Sequence, residues 1–353
     1  MIWPPLLLAD PSACLRWRVL HDLLELPAGH PEMAEVAALR PADPLVADLL
    51  ALQRPDGAWD PDALSHSWGR GSRLTATALA LARLGYLGFD RSHPAVERAA
   101  GYLFSLQQLD GAWPLHRDEV DVEGEGAASA PVREGYSMLP LQTAFPLRGL
   151  AACGYASDRR CEAAYEWLLA QRLPDGAWPT GMASGVYGYV AGYRRLSHSR
   201  WGCRSNTTGA LLCLAHHPQR RGGTEARRAL DLLLGRETRE DYALGFEVAR
   251  LVGAEPPSGF ITFFARFDLA LLLHLCAQIG ADKSDLRVSS LVEFVLAQQG
   301  SYGLLDYPSH PQVSRWVTLD LLRSLAQIDQ NTGWESHEPQ TPFQPYPKKN
   351  KRF

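Results

Sequence analysis

Three nearly identical short segments recur along this chain of 353 residues, and they constrain its fold more than any other feature. Each has a Gln a few residues before the tetrapeptide Asp-Gly-Ala-Trp, and the copies run from Gln53 to Trp59, from Gln107 to Trp113 and from Gln171 to Trp178. A worn fourth copy spans residues 297–304, and a fifth is hidden at 233–236. Such recurrence is typical of a repeat architecture in which each copy marks one supersecondary unit.

Each copy follows an amphipathic helical pattern and precedes a Gly- and Pro-containing loop and a second, more apolar helical pattern. The amphipathic first helices are predicted at 43–54, 94–108, 159–172, 224–237 and 284–299. The apolar second helices are predicted at 72–84, 138–153, 203–217, 264–279 and 315–328, with a sixth of this kind at 11–25. Strand signals are nearly absent, so the sequence predicts an all-α protein.

The alternation of two helix types predicts how the helices are arranged. A helix that is apolar almost all round must be buried on more than one side. We therefore expect an inner ring of about six helices wrapped by an outer ring, an (α/α)6-type toroid or barrel of helical hairpins. An open superhelical stack is the alternative. The toroid is predicted to be one domain over residues 1–330, followed by a Pro-rich, basic tail over 331–353.

Charge and composition exclude several classes of protein. The net charge of −4, with acids and bases interspersed, argues against a nucleic-acid partner. Six scattered cysteines without a Cys-x-x-Cys pair suggest free thiols in a reducing cytoplasm. The N-terminus lacks the basic region of a signal peptide, and the longest apolar stretch, 269–279, is too short to span a membrane. The basic tail supports only weak peripheral contact with anionic lipid, and we expect it to be solvated.

The repeated Gln-x(3–4)-Gly-x-Trp pattern resembles the QW motif of squalene–hopene cyclase and related triterpene cyclases. The same repeat occurs across the α/α-toroid superfamily, which includes the protein prenyltransferase β subunits. The resemblance covers most of residues 43–328 and implies one bacterial-type barrel with a central cavity that opens at the N-terminal ends of the inner helices. It also implies that the motif residues stabilise the fold: the Gln side chain ties a helix end and the Trp ring packs against it.

The sequence departs from the catalytic members of this superfamily. The Asp-x-Asp-Asp acid motif of class II cyclases is absent, as is the Asp-Asp-x-x-Asp metal motif of class I terpene synthases. The nearest acidic string, residues 118–123, lies in a Gly-, Ala- and Ser-rich segment, and a solvated loop is the simpler interpretation of it than an acid or cation site. A zinc site of the prenyltransferase type would need ligands such as Cys203, Asp268 and His310, which lack short-range ligand spacing. No metal or cofactor is therefore predicted.

Polar and cationic side chains cluster where the inner helices begin, and a closed ring would gather them at one mouth over an apolar tube. Such a rim suits a lipid-like molecule with a charged head. The alternative for any one arginine is an ion pair that fastens one hairpin to the next. The candidate substrate-binding residues are Arg73, Tyr136, Gln142, Trp201, Arg204, Asn206, Arg266, Arg315 and Trp316.

Three functions fit these observations. The first is an isoprenoid-type enzyme, related to terpene cyclases or prenyltransferases, whose reaction the sequence does not reveal. Asp268 is its candidate catalytic acid and Asp320 the second candidate. The second is a non-catalytic toroid that binds a lipid-like ligand or a protein. The third is a carbohydrate-active (α/α) barrel, since this ring form also hosts glycosidases. A dry apolar cavity would favour the first two over the third.

Overall fold

The computed structural model describes residues 4–64, 72–113, 141–183, 186–188, 190, 195–235, 243–255 and 268–338. The helices of the first half are α1 (Pro4–Leu8), α2 (Ala13–Arg18), α3 (Pro31–Leu39), α4 (Pro44–Ala51), α5 (Pro61–Leu64), α6 (Arg73–Tyr86) and α7 (Pro94–Ser105). Those of the second half are α8 (Leu141–Leu150), α9 (Arg159–Ala170), α10 (Arg204–His216), α11 (Thr224–Leu234), α12 (Phe246–Leu251), α13 (Leu269–Ile279), α14 (Leu286–Leu296) and α15 (Ser314–Gln330). One short antiparallel pair joins β1 (Met182–Ala183) to β2 (Val186–Tyr187).

The helices form the expected two layers. The inner helices are α2, α6, α8, α10, α13 and α15, and π-helical turns extend α2 through Val19–Leu23 and α8 through Ala151–Tyr155. Neighbouring inner helices pack side by side from α6 through α15, and the outer helices α4, α7, α9, α11 and α14 alternate with them along the chain. Almost every residue of α10 is buried, as the apolar pattern predicted for an inner helix.

The ring closes where the first inner helix meets the last. Arg323 Nε of α15 lies 3.0 Å from Asp22 Oδ2 in the turn that extends α2, and Arg18 Nη1 lies 3.7 Å from Asp320 Oδ1. A third pair joins Arg315 Nη1 to Asp10 Oδ2 at 3.2 Å. An open superhelix would leave these two ends of the chain apart, so the all-α toroid predicted from the sequence is confirmed.

The repeated motif links adjacent hairpins through hydrogen bonds. In the second copy, Gln107 Nε2 donates to Gly111 O at 2.8 Å within its own turn and to Arg160 O of the next outer helix at 2.9 Å. In the first copy, Gln53 makes the equivalent bond to Ala95 O at 2.8 Å. The indoles of Trp59, Trp113 and Trp178 are fully buried, and each Nε1 donates at 2.8 Å to a carbonyl ten residues upstream.

The motif glycine is required by both backbone conformation and space. Gly111 has a φ of 94°, and a Cβ on it would come within 2.5 Å of the carbonyl group of Ala163. The replacement Gly111→Ala should therefore lower the free energy of unfolding by about 2 kcal/mol or more, because strain and a backbone clash add. The control is Gly101→Ala in the exposed face of α7, where a Cβ meets nothing within 4 Å. This control should raise stability by about 0.5–1 kcal/mol, since alanine is the better helix former.

Gly111→Ala and Gly101→Ala are to be compared by urea denaturation. Equal effects of the two substitutions would show that the close approach at Gly111 does not constrain the turn.

Residues 331–338 lie along the outer layer without regular structure. Trp334 is buried, and its Nε1 donates to Asp285 Oδ2 at 3.0 Å. Asp231 Oδ2 accepts from the backbone N–H groups of His337 and Glu338 at 2.8 and 3.1 Å. The first part of the predicted tail is thus packed against α11 and α14, while residues 339–353 lie outside the described residues.

Helix α12 lies inside the ring and has no counterpart in the repeat. It contacts the inner helices α6 and α15, forms an ion pair with α8 and is hydrogen-bonded to Asp268 at the start of α13. Of its six residues, Glu247, Val248, Ala249, Arg250 and Leu251 are buried. The insertion that contains α12 therefore occupies part of the interior that the sequence predicted to be an open tube.

Candidate functional site

A cavity of about 560 Å³ lies between the outer helix α4, helix α5, the inner helix α6 and the chain that leaves α12. We call it the α4–α12 pocket. Its wall is mostly apolar, with Leu45 and Leu49 on α4, Leu52 just after it, Leu64 on α5, and Leu251 at the end of α12. A volume of roughly 300–1,000 Å³ with an apolar lining and a few polar groups is typical of small-molecule sites.

One side of the α4–α12 pocket carries a connected set of polar side chains. Tyr307 Oη donates to Glu255 Oε1 at 2.9 Å, and His310 Nε2 lies 3.7 Å from the same oxygen. The rings of Tyr307 and His310 stack with centroids 6.3 Å apart. Burial, reinforced by the Glu255 carboxylate, raises the pKa of Tyr307, so its hydroxyl stays protonated and donates to Glu255.

Arg83, near the end of α6, supplies the cation of the pocket. Its Nε donates to Arg250 O at 3.0 Å, which fixes the guanidinium against the end of α12. Burial and the neighbouring Arg250 lower the pKa of Arg83 to about 10, so the group is still charged at neutral pH.

Behind Arg83 lies a buried ionic cluster centred on one carboxylate. Glu247 Oε1 lies 2.6 Å from Arg148 Nη1, and its Oε2 lies 3.0 Å from Arg250 Nη1. All three side chains are almost completely buried. Because a buried charge is tolerated only when it is paired, these contacts hold α12 against α8 inside the ring.

Asp268 caps the inner helix α13 and holds the start of α12. Its Oδ1 accepts from the N–H groups of Ala270 at 3.0 Å and Gly245 at 2.8 Å, and its Oδ2 accepts from the N–H of Glu247 at 2.7 Å. Burial raises the pKa of Asp268 to about 6 against the lowering effect of these N–H groups. The carboxyl is thus easier to protonate than an ordinary Asp, but its hydrogen bonds to described residues are all with the backbone.

Two partly buried histidines lie on different inner helices. His216 ends α10, His274 lies in the middle of α13, and each keeps some accessible surface. Burial lowers the pKa of both to about 3, with Arg148 acting on both, His274 also acting on His216, and Arg323 and Arg18 acting on His274. Both imidazoles are therefore neutral at physiological pH.

These two histidines predict a loss of stability in acid. They are protonated near pH 6.5 in the unfolded chain and near pH 3 in the folded protein, so the stability they contribute is present above pH 6.5 and lost as the pH falls towards 3. Between pH 7 and 5 each should lower the free energy of unfolding by about 2 kcal/mol. The raised pKa of Asp268 acts in the opposite direction, with a smaller effect.

The check is urea denaturation at pH 7, 6 and 5. His216→Gln and His274→Gln should each reduce the pH slope, whereas His337→Gln, on an exposed side chain, should leave it unchanged. An unchanged slope in the first two variants would contradict neutral interior histidines.

The structure places the candidate residues of the predicted rim in separate local contacts. Arg73 Nε lies 2.9 Å from Asp60 Oδ1 and is about half exposed. Arg204 donates to Leu233 O at 3.2 Å, and Asn206 donates to Pro179 O at 2.6 Å. Arg315 pairs with Asp10 in the ring closure. Arg73 and Arg315 thus form ion pairs within the protein, Arg204 donates to a backbone carbonyl, and the role of these residues in ligand binding stays a prediction.

Two aromatic candidates and the second acid also have neighbours in the protein. Trp201 is half-buried, and its ring centroid lies 6.2 Å from that of Tyr187. Trp316 is buried, and its ring centroid lies 5.7 Å from that of Tyr86. Asp320 lies between Arg18 and Arg323, at 3.7 and 3.5 Å. The side chains of Tyr136, Gln142 and Arg266, together with the acidic string 118–123, lie outside the described residues, so their roles stay predictions.

None of the candidate catalytic and substrate-binding residues that the structure describes lines the α4–α12 pocket. Among the lining residues, His310 was considered from the sequence, but only as a zinc ligand. In the sequence, Arg83 resembles an ordinary cation in the last turn of a helix, and Glu255 lies in an insertion outside the repeat, so neither residue attracts notice. The signal that could have found them is the insertion itself, because 243–255 interrupts the regular order of one outer and one inner helix. Within the described ranges, Cys203, Asp268 and His310 form no metal-binding group.

Comparison with known proteins places this geometry in a family. The family model described as the squalene–hopene cyclase C-terminal domain matches residues 11–193, which is more than half of the chain. The chain belongs to this family. The match covers α2 through β2 and all three intact repeats, and it ends before α12 and the polar side of the pocket.

Relatives of this squalene–hopene cyclase family member align over short regions. The squalene–hopene cyclase of Zymomonas mobilis is 27% identical over 153 residues, which is 43% of this chain and 21% of that protein. The enzyme of Bradyrhizobium diazoefficiens is 28% identical over 133 residues, 38% of this chain and 18% of that protein. The chain thus matches about a fifth of the length of these relatives.

Two solved structures give weaker similarities. The type II terpene cyclase MstE from Scytonema, in complex with geranylgeranyl dihydroxybenzoate, has a TM-score of 0.45 at 18% identity, over 80% of this chain and 72% of that one. A protein from Actinoplanes has a TM-score of 0.43 at 17% identity, over 83% of this chain and 75% of that one.

In the part of the chain that the structure describes, no helix is long and apolar enough to cross a membrane.

Proposed function

We propose that this protein binds an isoprenoid or similar lipid-like chain in the α4–α12 pocket and acts on it as a terpene cyclase-like or prenyltransferase-like enzyme. The observation that carries the proposal is the leucine-rich cavity of about 560 Å³ in a member of the squalene–hopene cyclase family. The favourable free energy of binding to an apolar wall grows with the apolar area that the ligand buries. A hydrocarbon chain has a large apolar area, and a sugar does not.

The catalytic part of the proposal assigns the acid to Asp268, with Asp320 second. Support for Asp268 over Asp320 comes from its surroundings: burial raises its pKa to about 6, which leaves it partly protonated near neutral pH, whereas Asp320 is engaged in ion pairs with Arg18 and Arg323. Asp268→Asn should abolish product formation and leave binding intact. Unchanged turnover in this variant would restrict Asp268 to capping α13.

The second candidate function is a toroid that binds the same kind of ligand without converting it. It is favoured by one observation: neither Asp268 nor Asp320 lines the pocket, and both are engaged by groups of the protein itself. Product analysis after incubation with farnesyl diphosphate and with squalene separates the two candidates, because only the enzyme would convert either of them.

The proposal also includes a cytoplasmic location and a small-molecule partner. All six cysteines are free and buried, which supports a reducing compartment. Residues proposed for the rim, such as Arg73, Arg204 and Arg315, are bonded to other groups of the protein. They would bind an entering ligand only after these bonds break.

The binding test uses a residue that lines the pocket and a matched residue that does not. Ala63→Phe places a ring in the pocket from α5, whereas Ala47→Phe places the same ring on the exposed face of α4. Equilibrium binding of radiolabelled farnesol, farnesyl diphosphate and squalene should weaken about tenfold or more in the first variant, because loss of a few buried CH₂ groups suffices. It should not change in the second.

Two outcomes would overturn the proposal. One is that none of the three probes binds to the wild-type protein. The other is that Ala63→Phe and Ala47→Phe bind the probes equally well.

A further inference from the structure

We propose that the ligand of the α4–α12 pocket carries an anionic head group, a carboxylate or a phosphate, that binds the guanidinium of Arg83. The inference rests on the proposed function, since it names the chemistry at one end of the same ligand. It is carried by the position of Arg83 at the pocket wall and by the charges around it.

Arg83 is fixed in place while part of its guanidinium stays available. Its Nε donates to Arg250 O at 3.0 Å, and this bond leaves the N–H groups of Nη1 and Nη2 for another partner. Arg83 lines the pocket, and a Cβ on Gly253, another lining residue, would lie 3.7 Å from Nη1. Within the described ranges, no carboxylate oxygen lies within 4 Å of the Arg83 nitrogens, in contrast to Arg148 and Arg250. A guanidinium in this state matches the paired oxygens of a carboxylate or phosphate.

The buried charges behind Arg83 are unbalanced in favour of cations. Arg83, Arg148 and Arg250 gather around one carboxylate, Glu247, which already binds Arg148 and Arg250. Burial and Arg250 lower the pKa of Arg83, which shows that its charge is held at a cost. A ligand anion at Nη1 and Nη2 would relieve this repulsion in a low-dielectric site, where a Coulombic contact is stronger than in water.

Two carboxylates also line the pocket, and neither competes for this position. Glu255 Oε1 accepts the Tyr307 hydroxyl at 2.9 Å and lies 3.7 Å from His310 Nε2, so this carboxylate is engaged by those two side chains. Asp48 is exposed on α4, where water solvates it. Arg83 is thus a cation in the pocket wall that forms no ion pair with a carboxylate among the described residues.

The experiment varies the head group on one chain. Binding of farnesoic acid, farnesyl phosphate, farnesol and farnesylamine is measured below the concentrations at which they aggregate. The wild-type protein should bind the acid and the phosphate about tenfold to a hundredfold more tightly than farnesol, as expected for a charge-assisted pair. Raising the salt concentration should weaken binding of the two anions and leave farnesol unchanged.

Three variants locate the preference. Arg83→Met keeps the side-chain stem and should remove the anion preference while changing the affinity for farnesol less than twofold. Arg83→Lys should restore part of the preference. Arg159→Met, on an exposed arginine that begins α9, should behave like the wild type. If Arg83→Met fails to fold, as judged by its melting temperature, the wild-type series and its salt dependence decide the question.

The outcomes separate this inference from the proposed function. Equal wild-type affinity for farnesol and the two anions would overturn the anionic head group and leave the isoprenoid site standing. Preference for farnesylamine, lost in Glu255→Gln, would overturn it in favour of a cationic head. Binding of none of the four ligands would overturn the proposed function itself. A preference for only one of the two anions would support the inference and identify the head group.

Discussion

Replacing Glu247 with glutamine is expected to lower the free energy of unfolding by about 3–5 kcal/mol, because the change leaves buried guanidinium groups without their counter-ion. Glu247 is 2% exposed, and its two oxygens lie 2.6 Å from Arg148 and 3.0 Å from Arg250. A glutamine has nearly the same shape but no charge, so the loss measures the ionic contact that holds α12 inside the ring.

The control for Glu247→Gln is Glu293→Gln on the exposed face of α14, which should change stability by less than about 0.5 kcal/mol. In the double variant Glu247→Gln with Arg148→Met, the cost should be smaller than the sum of the single costs, because one unpaired cation is removed. Guanidinium denaturation measures all of these variants. A loss below about 1 kcal/mol in Glu247→Gln would show that the ion pairs do not hold α12.

The second large effect is expected at the repeated motif. Trp113→Ala should lower the free energy of unfolding by about 3–5 kcal/mol, since it removes a fully buried ring and leaves a cavity between two hairpins. Trp113→Phe keeps much of the ring but loses the Nε1 bond to Leu103 O, which still accepts from the Leu106 N–H, so the lost bond should cost about 0.5–1.5 kcal/mol.

Leu109→Ala is the matched control for the tryptophan, because Leu109 lies in the same turn with its side chain fully in solvent. It should change stability by less than about 0.5 kcal/mol. Comparable losses in Trp113→Ala and Leu109→Ala would contradict the stabilising role of the motif.

The helices could be predicted because the repeat and the apolar periodicity are local signals. The outer helix predicted at 94–108 is observed as Pro94–Ser105, and its end differs because Gln107 belongs to the turn, where its side chain bonds to Gly111 O. The inner helix predicted at 264–279 is observed as Leu269–Ile279 because Asp268 caps it.

The pocket could not be predicted, because its residues come from distant parts of the chain and from a segment outside the repeat. Helix α12 has six residues, too few for a periodic signal, and its Glu247 and Arg250 resemble surface residues until their partners are known. The rim stays a prediction, because a polar residue at an inner-helix start, such as Arg73, can equally contact a neighbouring segment of the protein.

Photolabelling tests the central claim most directly. A farnesyl phosphate that carries a diazirine at the end of its chain is bound to the full-length protein, irradiated and mapped by peptide mass spectrometry. The account predicts labels within 44–52, on the leucine-rich wall, which Ala63→Phe removes and Ala47→Phe retains. Labels confined to other parts of the chain, or labels that Ala63→Phe leaves in place, would contradict an isoprenoid site between α4 and α12.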